Sequence, residues 1–210
     1  QGLVDALGAD QRAATRAAER VAHARIATLS RSGTVREALS QADPDAVLLA
    51  ESRPGREGVE VAESVAGEAE VTLTTDAALA HAVDEWGADV VLVGADAVHG
   101  DGSVVNKAGT RTVALAGTHE GIEVIVAAAT DKIAPDGRTD LEHRNSGEVY
   151  DGEADVDVYN PTFDVTPADC VDAFVTERGI LGPDGVSEVA ADHRNRAPLG
   201  GRRSTRPDGQ

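Results

Sequence analysis

Short apolar segments of strand length alternate with segments of helical periodicity along most of this chain. The apolar segments are rich in Val, Ile, Leu and Ala and occupy residues 24–29, 46–50, 71–74, 90–93 and 124–128. Strands that are buried on both faces of a parallel sheet have this nearly continuous apolar pattern. Helical spacing lies between them, at residues 34–41, 58–65, 77–86 and 107–118. The alternation predicts right-handed crossovers and an α/β domain built on a doubly wound parallel sheet.

The segments at both ends of this alternation have different patterns. Residues 11–20 are Ala-rich and helical in spacing, which predicts that residues 1–21 are the end of an N-terminal helical region. The chain has no Met and begins with Gln1, so we expect further residues before it in the gene product. The α/β domain is expected over residues 22–191, with a Gly- and Pro-rich excursion at 135–157 and a helix at 168–178. Residues 192–210, rich in Arg, Gly and Pro, predict a disordered tail or, alternatively, a basic arm for RNA or an acidic partner.

The charge of the chain restricts its partners. Its 37 acidic and 19 basic residues give a formal net charge of −18, which disfavours general DNA binding and contact with an anionic membrane, since both depend on clustered Lys and Arg. The basic residues are 17 Arg and two Lys, a pattern that favours a halophilic protein, with an acidic mesophilic protein as the alternative. Apolar runs too short to cross a bilayer, and the lack of a signal-like start, predict a cytoplasmic location.

Polar residues follow the carboxyl ends of the predicted strands, where open parallel sheets bind their ligands. Both lysines of the chain, Lys107 and Lys132, lie in these segments. An ammonium group beside a helix N-terminus is suited to a phosphate, and a turn formed by Ser32, Gly33 and Thr34 is suited to the same anion. The alternative is ordinary N-capping by Ser32 or Thr34.

Several kinds of site are disfavoured by the residues at these strand ends. The chain has no Gly-x-x-x-x-Gly-Lys and no Gly-x-Gly-x-x-Gly motif, which argues against a P-loop NTPase and a dinucleotide dehydrogenase. Its six His show no ligand spacing and its single Cys has no partner, so no metal and no cofactor is expected. Asp96 follows a Val-rich strand, where burial would raise its pKa and make it a proton donor. A helix cap or a structural hydrogen bond is the alternative role for Asp96.

Six segments occur in an order that identifies a family. They are 30–35 (Ser-Arg-Ser-Gly-Thr-Val), 51–58 (Glu-Ser-Arg-Pro-Gly-Arg-Glu-Gly), 94–98 (Gly-Ala-Asp-Ala-Val), 101–110 (Asp-Gly-Ser-Val-Val-Asn-Lys-Ala-Gly-Thr), 163–167 (Phe-Asp-Val-Thr-Pro) and 176–179 (Thr-Glu-Arg-Gly). Together they resemble the family of the α, β and δ subunits of translation initiation factor 2B, methylthioribose-1-phosphate isomerase and ribose-1,5-bisphosphate isomerase. The resemblance covers residues 20–182. It implies a Rossmann-like domain, preceded by the end of a truncated helical N-terminal domain, and a homodimer or larger homo-oligomer.

The resemblance also implies roles for individual residues. The isomerase members act on a phosphorylated aldose with a Cys at the end of the first strand and an Asp in the Gly-Ala-Asp segment. Asp96 matches that acid, whereas Ser30 stands at the position of the Cys. The other residues with an implied role in holding the substrate or its phosphate are Arg31, Ser32, Gly33, Thr34, Arg53, Arg56, Glu57, Asn106, Lys107 and Lys132.

Two departures from the isomerases determine our interpretation of the sequence. The Ser30 hydroxyl titrates too high to act as a base without an activating neighbour. Glu57 stands where the methylthioribose isomerases have Gln, and its charge weakens phosphate binding unless Arg53 or Arg56 pairs with it.

We therefore interpret the chain first as an initiation-factor-2B-like protein. It would bind a phosphorylated sugar or a purine nucleotide and act by binding and assembly, with initiation factor 2 as a candidate partner. The alternatives are an aldose–ketose isomerase that uses Asp96, with Ser30 activated or another base, and a structural paralogue with an empty pocket.

Overall fold

A computed structural model describes residues 2–135, 137 and 140–196 of the chain, with side chains from residue 8 onward. Six helices and eleven strands follow one another in these ranges: α1 (Gly2–Arg20), β1 (Arg25–Thr28), α2 (Gly33–Ala42), β2 (Ala46–Ala50), α3 (Glu57–Val65), β3 (Glu70–Thr74), α4 (Asp76–Glu85), β4 (Val90–Val93), β5 (Ala97–His99), β6 (Val104–Lys107), α5 (Thr110–Glu120), β7 (Glu123–Ala127), β8 (Ile133–Ala134), β9 (Phe163–Thr166), β10 (Ala173–Thr176), β11 (Gly179–Leu181) and α6 (Pro183–Arg196). Short 3-10 helices lie at Thr130–Lys132, Ser146–Glu148 and Ala168–Cys170.

The main sheet has seven strands in the order β11-β10-β7-β4-β1-β2-β3. All neighbouring strands are parallel except β11, which runs antiparallel to β10. The five strands that the sequence predicts are β1, β2, β3, β4 and β7 of this sheet, with ends within one residue of the prediction. The predicted fold class, a Rossmann-like doubly wound α/β domain, is therefore confirmed. The strand order reverses between β1 and β4, and this switch point is where such sheets bind ligands.

Helices cover both faces of the main sheet. Alternate side chains of the strands, such as Ile26 and Leu92, pack against α1, α2 and α3 on one face. Their neighbours, such as Leu48 and Val91, pack against α4, α5 and α6 on the other face. Complete burial of a Leu or Ile side chain contributes about 1.5–3 kcal/mol, so these two layers stabilise the positions of the strand ends.

A second, smaller sheet lies beyond the carboxyl end of β4, and the sequence did not predict it. Its order is β8-β5-β6-β9, with β5 and β6 forming an antiparallel hairpin. The sequence predicts a helix from Lys107, but α5 begins at Thr110 because residues 104–107 form strand β6. Gly109, with φ at 109°, makes the left-handed turn between strand and helix that suits a residue without a Cβ. The Asp164 carboxylate accepts hydrogen bonds from the backbone N–H groups of Gly109 and Arg111 and so caps α5.

The C-terminal part of the chain differs from the prediction. The predicted helix at 168–178 is wrong: the structure has a 3-10 turn at 168–170 and strands β10 and β11 at 173–176 and 179–181. All four residues of β10 are buried between β7 and β11, so this short apolar run forms a strand of the main sheet and not a helix. Helix α6 continues to Arg196, five residues into the range predicted as a disordered tail; residues 197–210 of that range lie outside the described residues. Over the ranges that the structure describes, no helix has the length and apolar content needed to cross a membrane.

Candidate functional site at the switch point

A cleft of about 220 Å³ opens at the carboxyl edge of the main sheet, between the ends of β1 and β4. Its lining combines the turn after β1, the end of β4, the end of the hairpin and the turn after β7, and comprises Ser30, Arg31, Ser32, Gly33, Ala95, Asp96, Asn106 and Lys132. Segments separated by a hundred residues in sequence meet here because parallel strands bring their carboxyl ends to one edge. Apart from Ala95, each of these residues is a candidate from the sequence.

The turn that carries Ser30 is held by hydrogen bonds from the neighbouring strand ends. The backbone N–H of Ser30 donates to Ser52 Oγ at 2.7 Å. Ser52 and Arg53 in turn donate their backbone N–H groups to the carboxylate of Asp76, at 2.8 and 2.6 Å. Ser30 and Ser52 both have φ at 63°, in the left-handed region. The ends of β1, β2 and β3 are thus connected to one another, although nothing in the sequence marked Ser52 and Asp76 for this role.

The N-terminus of α2 forms one wall of the cleft. Ser32 caps this helix, since its Oγ accepts the backbone N–H of Val35 at 3.3 Å, and the capping alternative is therefore present in the structure. Gly94 passes so close that a Cβ on it would lie 2.3 Å from Ser32 Oγ. Gly33 is exposed in the cleft. Because the first N–H groups of a helix have no partner within the helix, this end of α2 is suited to an anion.

Asp96 and Lys132 form the opposite wall. The backbone N–H of Asp96 donates to Val105 O at 2.9 Å, which ties this residue to the β5–β6 hairpin. Lys132 Nζ donates to the carbonyl oxygen of Ala95 at 2.7 Å. Asp96 is exposed at the edge of the sheet, but desolvation of its carboxyl by the surrounding protein still raises the pKa, and the positive charge of Lys132 offsets only part of that rise. Asp96 therefore keeps its proton to a higher pH than an ordinary aspartate, in the direction that the sequence predicts.

Asn106 lies at the base of the cleft and is buried. Its Nδ2 donates to Thr110 Oγ1 at 2.9 Å, and that hydroxyl donates to the carbonyl oxygen of Lys107 at 2.7 Å. These bonds fix the amide group at the junction of β6 and α5. The Asn106 side chain therefore has a fixed orientation before any ligand is bound.

A second cavity of about 420 Å³ adjoins the cleft and shares Gly33 and Lys132 with it. The rest of its lining is polar and comes from α1 and α2: Asp10, Gln11, Thr34 and Glu37. Within the described part of the chain, Asp10 Oδ1 is buried without a hydrogen-bond partner. The sequence did not indicate Asp10, Gln11 or Glu37, because they belong to no motif and meet only through the packing of α1 on α2.

Lys107 and Glu57 form an ion pair instead of lining the cleft. Lys107 Nζ lies 3.1 Å from Glu57 Oε1, and the two side chains are 8% and 22% exposed. The partner of Glu57 is therefore Lys107, and not Arg53 or Arg56 as considered from the sequence. The pair neutralises the charge that Glu57 adds to this edge.

The remaining candidate arginines are exposed. Arg31 Nη1 lies 2.8 Å from Glu60 Oε2, and Arg56 Nε lies 3.9 Å from Glu51 Oε2. Arg53 belongs to the same exposed turn as Arg56, outside the lining of the cleft. Of the two cationic residues in the described lining of the cleft, Arg31 pairs with Glu60, whereas Lys132 is held at the cleft wall by Ala95. Among the described residues there is no group of three or more His, Cys, Asp or Glu placed to hold a metal ion.

Comparison with known sequences gives three findings. A family model described as the initiation factor 2 subunit family matches residues 1–183. Methylthioribose-1-phosphate isomerase of Acaryochloris marina is 35% identical over 175 residues, which are 78% of this chain and 49% of that protein. Ribose 1,5-bisphosphate isomerase of Haloferax volcanii is 44% identical over 125 residues, 55% of this chain and 38% of that protein. The chain thus spans about half the length of the first of these relatives and less of the second.

Solved structures give the same result. The translation initiation factor eIF-2B of Pyrococcus horikoshii OT3 is 34% identical with a TM-score of 0.77, covering 86% of this chain and 66% of that one. The 5-methylthioribose 1-phosphate isomerase of the same organism is 25% identical with a TM-score of 0.79, covering 91% and 60%. Both neighbours share the α/β fold described above. Since the family model covers most of the residues and the fold agrees, the chain belongs to the initiation factor 2 subunit family.

Proposed function

We propose that the switch-point cleft is the site of an aldose–ketose isomerase for a ribose phosphorylated at C1, of the methylthioribose 1-phosphate or ribose 1,5-bisphosphate type. The observation that carries the proposal is that Asp96, a carboxyl of raised pKa, lines one cleft together with the Lys132 ammonium group and the N-terminus of α2. The isomerase relatives support it. From the sequence, binding and assembly was the first interpretation and the isomerase was the alternative. Here the isomerase comes first and binding and assembly second.

The phosphate would bind between Lys132 and the first turn of α2. Lys132 supplies a point charge, and the free N–H groups near Gly33 supply donors at the positive end of the helix dipole. Asn106 can bind a sugar hydroxyl with its amide oxygen or with the second N–H of its Nδ2, since only one N–H is donated to Thr110. Lys107 is assigned to the ion pair with Glu57 and not to the ligand. The adjoining cavity provides room for the substituent at C5 of the sugar.

One carboxyl group is sufficient for all the proton transfers of the reaction. The protonated Asp96 gives its proton to the ring oxygen as the bond from that oxygen to C1 breaks. The resulting carboxylate removes the proton from C2, which gives an enol, and returns it to C1. The proton of the C2 hydroxyl then passes to the carboxylate, so the product is a C2 ketone and Asp96 is protonated again. Among the described residues that line the cleft, Asp96 is the only carboxyl, which is why all these steps are assigned to it.

Ser30 has a supporting part in this scheme. A hydroxyl with an ordinary pKa does not accept a carbon-bound proton near neutral pH, and no His is among the described residues that line the cleft. Ser30 is instead suited to donate a hydrogen bond to a sugar oxygen. Its replacement by Ala would then weaken substrate binding and leave the proton transfers intact.

The test is the conversion of methylthioribose 1-phosphate and ribose 1,5-bisphosphate to their ketoses, followed by ³¹P NMR at low and at multimolar salt. We expect turnover by the unmodified protein, a loss of about 10³-fold or more in Asp96→Asn, and at most a tenfold loss in Ser30→Ala. The matched control is Glu120→Gln, since this exposed carboxylate ends α5 at the opposite edge of the sheet. Turnover that survives in Asp96→Asn would refute the assignment of the acid.

A second candidate function is binding and assembly without turnover, as the sequence suggested. Ser30 in place of the isomerase Cys favours it, and so does the likeness to an initiation factor structure. In this case a phosphorylated sugar or a purine nucleotide would stabilise the protein against heat, no ketose would form, and Ser30→Cys would gain isomerisation. Light scattering would test the expected homodimer or larger homo-oligomer, and a binding assay with initiation factor 2 would test that partner.

A further inference from the structure

A carboxylate outside the cleft holds the turn that carries Lys132. Glu177 directly follows β10, and its side chain is 13% exposed. Its Oε2 accepts the backbone N–H of Thr130 at 2.9 Å, and its Oε1 accepts a short hydrogen bond from Thr130 Oγ1. Both oxygens thus bind the first residue of the 3-10 turn Thr130–Lys132.

This contact takes the place of a helix cap. The residue before the turn, Ala129, has no side chain that could accept the free N–H groups at its start. The acceptor comes instead from the neighbouring strand, and Thr130 is itself buried. Burial alone would raise the pKa of the Glu177 carboxyl, but the hydrogen bonds from Thr130 and from its own backbone outweigh burial and lower the pKa. The carboxylate is therefore held in the charged form that binds both donors best.

A continuous series of bonds joins Glu177 to the cleft. From the turn, the Lys132 side chain reaches across to β4, where its Nζ donates to Ala95 O at 2.7 Å. Ala95 immediately precedes Asp96. The ends of β10, β7 and β4 are thus connected in the same way as those of β1, β2 and β3 on the other side of the cleft.

We infer that Glu177 is a positioning residue, which fixes the Thr130–Lys132 turn so that the Lys132 ammonium group faces the anion site beside Asp96. The inference rests on the proposed function in one respect, namely that Lys132 holds the phosphate. Glu177 does not line the cleft, so its effect on a ligand must pass through Lys132. Arg178, with Nε 3.7 Å from Glu177 Oε1 and 42% of its side chain exposed, adds little to this arrangement.

The two lysines of the chain make a selective measurement possible. In protein labelled with ¹⁵N and ¹³C in lysine alone, the signals of Lys107 and Lys132, the two lysines of residues 1–210, can be compared with each other, so Lys107 is an internal control. In Glu177→Gln we expect the Lys132 signals to move and those of Lys107 to stay. Thr130→Val, which removes only the hydroxyl donor, should move the Lys132 signals in the same direction, and Arg178→Ala should leave them unchanged. Unmoved Lys132 signals in both Glu177→Gln and Thr130→Val would overturn the inference without reference to any ligand.

A double-variant cycle tests the consequence for binding, with inorganic phosphate as the probe. Glu177→Ala should weaken phosphate binding about tenfold in the otherwise unmodified protein, the effect of one misplaced charged donor. In a Lys132→Ala background the same substitution should change the affinity less than twofold. An equal loss in both backgrounds, or no loss in either, would show that Glu177 does not act through Lys132. If Glu177→Ala fails to fold, Glu177→Gln and Thr130→Val take its place in the cycle.

The result also separates this inference from the proposed function. If Lys132→Ala binds phosphate as tightly as the unmodified protein, the proposed phosphate site is wrong. In that case the lysine signals by themselves decide whether Glu177 positions Lys132, since they report the position of Lys132 in the protein without a ligand.

Discussion

Replacing Lys107 should damage the stability of the protein and leave its cleft intact. Lys107 and Glu57 lie 3.1 Å apart with side chains 8% and 22% exposed, and at an effective dielectric constant of about 20 their attraction is about 5 kcal/mol. The desolvation of both groups offsets part of this attraction. In Lys107→Met the carboxylate would lose its cation, and its Oε2 is already buried without a partner among the described residues.

We expect Lys107→Met to lower the free energy of unfolding by about 3 kcal/mol, at the lower end of the range for buried pairs because Glu57 retains some exposure. For a chain of this length that corresponds to a fall in Tm of roughly 6–12 °C. Thermal melting followed by circular dichroism measures it. Adding Glu57→Gln should recover most of the loss, because an amide is much less costly to bury than an unpaired carboxylate.

Lys132→Met is the matched control, because it makes the same substitution at the other lysine of residues 1–210. It should weaken phosphate binding with little change in Tm, whereas Lys107→Met should change phosphate affinity less than twofold. A Tm of Lys107→Met within about 2 °C of the unmodified protein would refute the stabilising ion pair. A large loss of phosphate affinity in Lys107→Met would return this lysine to the ligand site that the sequence assigned to it.

Two further predictions follow from the same edge of the sheet. Gly58→Ala should destabilise the protein by about 3 kcal/mol or more in urea unfolding, because the new Cβ would lie 1.8 Å from the carbonyl oxygen of Ala50; Gly67→Ala, with no atom within 4 Å, is the control and should stay within about 0.5 kcal/mol. Because the pKa of Asp96 is raised by folding, the folded protein binds more protons than the unfolded one between the ordinary and the raised pKa. Stability should therefore fall as pH rises through that window, and Tm measured against pH should lose this component in Asp96→Asn.

Five strands of the main sheet could be predicted because the sequence of each one is by itself typical of a buried strand. Runs such as 46–50 and 90–93 are apolar throughout and too short for helices, so their pattern is specific. Residues 173–176 (Ala-Phe-Val-Thr) are equally short and apolar. Together with the polar residues on either side, however, they also fit a helical spacing, which predicted a helix over 168–178. What distinguishes β10 is burial between two neighbours, which is a tertiary property.

The site was predictable where a residue follows a strand and not where packing alone places it. Ser30, Asp96 and Lys132 lie within five residues after the ends of β1, β4 and β7, so the topology brings them to one cleft. Asp10, Gln11 and Glu37 in the adjoining cavity follow no strand and belong to no motif, so the sequence did not indicate them. The pairing of Lys107 with Glu57 was not predictable for a different reason: Lys107 lies on strand β6 of the β5–β6 hairpin, whereas its sequence pattern predicts the start of a helix.

The two walls of the cleft belong to two different sheets. The turn that we propose binds the anion follows β1 of the main sheet, whereas the backbone of Asp96 is hydrogen-bonded to β6 of the smaller sheet. A substitution that shifts β6 should therefore move Asp96 relative to the N-terminus of α2 without changing the packing around Ile26 and Leu92. Because Lys132 is bonded to Ala95, next to Asp96, such a substitution would change the proposed phosphate binding and the proposed proton transfer together.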